Sequence, residues 1–124
     1  MRVYCGELLQ ESGEPLLVSR FIVRQEEVAF DLVADAEEGG DFSFTGIAKR
    51  ARQGVFISQV IEGKQAVGRF EQNTSVPCRF MFEIRKISSR QLVLTGNWVG
   101  GGDSESFDGT LKVFATRKRQ AKFK

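Results

Sequence analysis

There is no histidine among the 124 residues. Without imidazole the chain cannot assemble a Ser-His-Asp or Cys-His nucleophile, and it loses the commonest protein ligand of zinc and copper. Cysteine is scarce. Cys5 and Cys78 are the only two, far apart and without a C-x-x-C spacing, so neither a disulfide framework nor a structural zinc site is expected. Cys78 shares a strand face with Val76, Phe80, Phe82 and Ile84 and reads as a buried structural thiol, while the spacing leaves a Cys5–Cys78 bridge open. No apolar run approaches the roughly 20 residues of a membrane-spanning helix. The opening MRVYCGELLQESGEP lacks the apolar core and small-residue cleavage site of a secretory signal, so a cytoplasmic location is the expectation. No G-x-x-x-x-G-K-[ST] stretch is present for a nucleotide phosphate, and GGGDSES precedes a strand rather than a helix.

What is present is ordinary for a folded domain. Hydrophobic residues make up 41% and charged residues 27%, enough apolar material for one core in a chain of this length. The net charge of +2 conceals an asymmetry. Residues 117–124, RKRQAKFK, hold five of the eighteen bases and no acid, which leaves sixteen acids against thirteen bases in the rest. The reading is a single domain over 1–116 followed by a basic C-terminal tail over 117–124. Such a tail keeps a protein in solution or attracts an acidic partner.

Strand patterns run the length of the chain, and no helical pattern of even about ten residues interrupts them. Candidate strands fall at 2–11, 16–25, 27–36, 41–53, 55–62, 65–72, 76–88, 91–99 and 105–117, with turns at ESGEP, EEGGD, Gly63-Lys64, NTSVP and SSR. In the second strand Leu17, Phe21 and Val23 share one parity, with Ile22 the exception. Phe42, Phe44, Gly46 and Ala48 share a face, as do Phe107, Gly109, Leu111, Val113 and Ala115. The expected fold is all-β, an antiparallel meander of about eight or nine strands closing into a small up-and-down barrel. Closure removes both sheet edges, and strands of this length and number suit it. A two-sheet β-sandwich is the alternative.

Three glycines stand inside strands: Gly46 in FTGIA, Gly96 in LTGNW and Gly109 in FDGTL. A strand glycine implies use of the missing side chain, either for sharp coiling or for a neighbouring ring such as Trp98 or Phe107 to lie on bare backbone. The Gly96-Asn97-Trp98 strand, the glycine turn and the FDGTL strand that follows resemble strand pairs of the calycin up-and-down barrels, which include lipocalins, fatty-acid-binding proteins and avidins. In lipocalins the G-x-W lies on the first strand, whereas here it lies on the penultimate one. The resemblance implies a barrel with Trp98 capping one end. It carries over no ligand-site residues.

Two functions follow from this reading, neither of them enzymatic. One is a non-catalytic binding protein for a small apolar or amphipathic ligand, lined by Phe30, Phe42, Phe44, Phe80, Phe82, Trp98 and Phe107 on the inward faces. The other is a barrel plugged by those same rings, acting as a protein-interaction module through its basic tail or through outward apolar residues such as Ile22, Met81 and Val99. Asp103, Glu105 and Asp108 would suit a calcium ion or acid–base work, but in a Gly/Ser turn they read as solvated turn formers. No metal or cofactor is expected. Nucleic-acid binding is disfavoured by the acidic balance of the body and by phenylalanines that fall on apolar faces, despite Lys49, Arg50 and Arg52 at one strand end.

Overall fold

The computed structural model describes residues 2–34, 42–65 and 75–113. The turn at 37–41, most of the expected strand 65–72, Ala115 and the tail 117–124 lie outside the described residues. Nine strands follow one another: β1 Tyr4–Gln10, β2 Pro15–Val23, β3 Glu27–Ala34, β4 Phe42–Arg52, β5 Val55–Ser58, β6 Ile61–Gln65, β7 Ser75–Ser88, β8 Gln91–Gly100 and β9 Asp103–Val113. Neighbours in sequence pair antiparallel, β5 and β6 excepted, β9 returns to β1, and the sheet closes on itself. This is the up-and-down barrel.

The barrel has eight positions rather than nine, because β5 and β6 both lie between β4 and β7. They are two halves of one strand, separated by a bulge at Gln59-Val60 where the register slips by one residue against both neighbours. Ser58 is buried there. Its hydroxyl accepts from the Phe80 amide at 3.0 Å and donates to the Gln59 carbonyl at 2.7 Å, replacing the ladder partner that the bulge removes. The expected turn at Gly63-Lys64 is instead part of β6. Gly63 has no side chain because the ring of Phe44 lies against it, and a Cβ there would overlap that ring.

A second bulge corrects the expected faces of β2. Register against both β1 and β3 slips across Ser19, so Leu16, Val18 and Phe21 point inward and are buried, while Leu17 is exposed. Ile22 lies outward yet is buried, opposite Ala29 and between the Arg20–Asp31 and Arg24–Glu27 ion pairs. Long alkyl stems of such pairs cover apolar surface. Ile22 is therefore not an exposed contact residue, and Met81 is half-buried; of that trio Val99 alone is exposed.

Rings fill the middle of the barrel. Phe82 meets Phe21 edge-on with centroids 5.3 Å apart and Phe30 at 4.9 Å, and it lies 6.0 Å from Phe80 and from Phe107. Toward the end that holds the chain's first strand residue, Leu8, Leu92, Leu94 and Leu111 complete the packing with no exposed surface. Tyr4 closes that end, its hydroxyl donating to the Ser89 carbonyl at 3.2 Å.

Candidate functional site

The opposite end is built differently. There β1 ends in a tight turn through Gln10, Ser12 and Gly13, and Gly13 takes a positive φ of 97° so that its N–H can donate to the Gln10 carbonyl at 2.8 Å. Beside it β8 and β9 are joined by Gly101-Gly102, both at positive φ, as a two-residue hairpin of the primed type requires. The glycine run is thus a sharp hairpin, and its sharpness brings Trp98 and Glu105 opposite one another in the ladder.

Between these turns and the phenylalanine plug lies a cavity of about 380 Å³. Phe44 and Phe80, both buried, form its floor. Leu16, Ala34, Phe42 and Cys78 contribute to the wall, and Ser12, Glu14 and Glu105 stand at the exposed rim. Trp98 is half-buried, and its indole N–H donates to Gln10 Oε1 at 2.8 Å, which fixes both side chains across the β1 and β8 walls. Ser12 donates to Glu105 Oε1 at 3.2 Å and ties the two turns together. Burial pushes the Cys78 thiol up, so it sits in this wall as a protonated, neutral, weakly polar group. Cys5 and Cys78 are both free thiols. Among the described residues no cluster of three or more acidic, cysteine or histidine side chains is placed to hold a metal ion.

Of the seven ring residues read from the sequence, Phe42, Phe44, Phe80 and Trp98 line this cavity. Phe30, Phe82 and Phe107 are buried in the plug beneath it and belong to packing. The Phe107 ring does lie over a strand glycine, with its Cε1 3.0 Å from where a Gly96 Cβ would be. Trp98 covers none of them; Gly46 and Gly109 face the aliphatic chains of Ile61 and Leu8. Gln10, Ser12, Glu14, Leu16, Ala34 and Cys78 are not among the lining residues expected from the sequence, where Glu105 reads only as a solvated turn former. One signal for Gln10 was available: it continues the inward parity of Tyr4, Gly6 and Leu8, and a polar residue at an inward position near a strand end marks a place where the core stops.

Fold and site together define a class: a closed antiparallel barrel, packed in one half and hollow in the other. No family model matches the chain, and no curated protein matches it. Solved structures do share the architecture. A redesigned β-barrel, mFAP1, bound to DFHBI, superposes with a TM-score of 0.52 at 10% identity, covering 90% of this chain and 92% of that one. EF1p2_mFAP2b, also bound to DFHBI, gives a TM-score of 0.52 at 14% identity and 90% coverage of both chains. At these identities the likeness concerns the fold alone, a small antiparallel β-barrel.

Proposed function

We propose that this protein is a non-catalytic binding barrel that takes a small apolar or amphipathic molecule into its open half. One observation carries the reading: an aromatic-walled hollow of about 380 Å³ stands above a plug that already supplies the core. That volume is at the lower end of the roughly 300–1,000 Å³ typical of small-molecule sites. Few polar groups reach it, and apart from the buried Gln10 and Cys78 they sit at the rim, as expected where an apolar body enters first. The two barrels of like fold were solved with a small molecule bound, which supports the architecture as a host. The buried, neutral Cys78 thiol is a poor nucleophile, in keeping with a role in binding rather than catalysis.

The test is titration with prodan, a neutral solvatochromic dye, followed by its blue-shifted emission and by quenching of Trp98, the only tryptophan. Saturable binding at one site, abolished by Ala34→Trp, supports the reading. A dye that stays in water at every protein concentration, or that ignores Ala34→Trp in a folded variant, overturns it. Native mass spectrometry of protein from its own host then identifies the natural occupant by the mass lost on denaturation. An interaction role through the tail over 117–124 is a separate reading, tested by whether its deletion releases a co-purifying partner.

A further inference from the structure

The polar groups at the cavity mouth are unequal in sign. Glu14 and Glu105 present carboxylates at the rim, and among the described residues no lysine or arginine lines the cavity. The donors nearby are largely spent within the protein. The Trp98 N–H is held by Gln10 Oε1 and the Ser12 hydroxyl by Glu105, so among the described lining residues the Gln10 amide nitrogen and the weak Cys78 thiol are the side-chain donors left beside two anionic acceptors. An anionic head placed here would meet like charge and, among the described lining residues, no counter-ion.

The rest of the barrel deepens the contrast. The described turns and strand ends at the mouth carry Glu11, Glu14, Asp103 and Glu105 against Lys64, whereas those at the packed end carry Arg24, Arg50, Arg52, Lys86, Arg90 and Lys112. Glu26 and Glu27 partly offset the latter through ion pairs with Arg50, Arg24 and Lys49. Charge is therefore separated along the barrel axis, and the field draws cations toward the mouth and anions away from it. Phe42 and Trp98 are half-buried at the same mouth, and aromatic faces attract a cation independently of the carboxylates.

We propose that the occupant is a cationic amphiphile, an alkylamine or quaternary ammonium compound. Its apolar body fills the cavity and its head sits between Glu14, Glu105 and the mouth aromatics. Fatty carboxylates of the same length are disfavoured by charge. The proposal rests on the cavity being the binding site, and the test separates the two.

Decyltrimethylammonium, decanol and decanoate, each below its micelle concentration, are titrated against the intact protein and followed by Trp98 emission. The ammonium compound is expected to bind about tenfold or more tightly than decanoate, with decanol between. The gap is expected to narrow as salt rises to about 0.5 M, where screening shortens the reach of the rim charges. Glu14→Gln with Glu105→Gln is expected to reduce the gap to less than about threefold, while Glu7→Gln, an acid on the outer face away from the mouth, leaves it intact. Decanoate binding as tightly as the ammonium compound overturns the charge selection even if the cavity is occupied. Failure of all three, with decanol included, overturns the cavity reading itself. Should the double variant fail to fold by circular dichroism, the wild-type ratio and its salt dependence decide.

Discussion

At the scale of single residues, two phenylalanines of similar sequence context do different work. Phe82 has no exposed surface and packs against Phe21, Phe30, Phe80 and Phe107, whereas Phe42 is half-buried at the cavity mouth. Phe82→Ala is expected to cost about 3–5 kcal/mol, the range for removing a fully packed ring. Phe42→Ala is expected to cost about 1 kcal/mol and to weaken prodan binding instead. Urea unfolding with an unchanged m-value separates them. Equal costs would mean that the mouth half is packed core and that no hollow exists. Gly96 makes a further case. Replacing a strand glycine by alanine ordinarily stabilises, by roughly 0.5–1 kcal/mol. Here the new Cβ would overlap the Met81 carbonyl, which belongs to the backbone and cannot rotate away. Gly96→Ala is expected to destabilise by about 1–3 kcal/mol in the same assay, as overpacking does. A gain in stability would show that β7 and β8 have room to part.

Elements show why part of this barrel is legible in the sequence and part is not. Before the register slip of β7 between Lys86 and Ser88, β7 and β9 keep the alternation: Cys78, Phe80 and Phe82 point inward, as do Phe107 and Leu111, and the period of two places them correctly. β2 defeats the same reasoning. Its inserted residue near Ser19 flips parity halfway along, so Leu17, with Phe21 and Val23 apparently on its side, turns out to face solvent. A bulge adds a residue without leaving a compositional mark. Gly63 misleads in the other direction, because a glycine beside a lysine looks like a turn when its role is to yield space to Phe44. The site divides along the same line. Phe42, Phe44, Phe80 and Trp98 are readable because they are aromatic and inward. The rim is not, since Ser12, Glu14 and Glu105 meet only after β9 returns to β1 across most of the chain. The bulge at 59–60 yields a prediction of its own. Ser58→Ala leaves the buried Phe80 amide without its acceptor and is expected to cost about 1–3 kcal/mol. Hydrogen exchange checks the cause: the Phe80 amide should lose protection more than the Leu94 amide. Equal loss at both would point to general destabilisation rather than to a missing hydrogen bond.

For the molecule as a whole, the packed and hollow halves share one sheet but are expected to differ in local stability. Amides of β8 and β9 near Leu92, Leu94 and Leu111 lie over side chains with no exposed surface, so they exchange only when the whole barrel opens. Amides near Gly13, Phe42 and Gly100 border the cavity and its turns, where fewer packed side chains resist local opening. An occupant that binds the folded protein at a hundredfold its Kd stabilises it by about 2.7 kcal/mol. That gain reaches globally exchanging amides in full. At the mouth it is joined by suppression of the local openings that release the ligand. Decyltrimethylammonium or prodan is therefore expected to slow exchange at Phe42 and Gly100 even under conditions where the Leu94 amide, already beyond the time window, shows no change. Protection that instead begins at the packed end, around Tyr4 and Ser89, would place the ligand on the basic face of the barrel. It would identify the hollow half as a consequence of tight hairpins at Gly13 and Gly101-Gly102 rather than as a site.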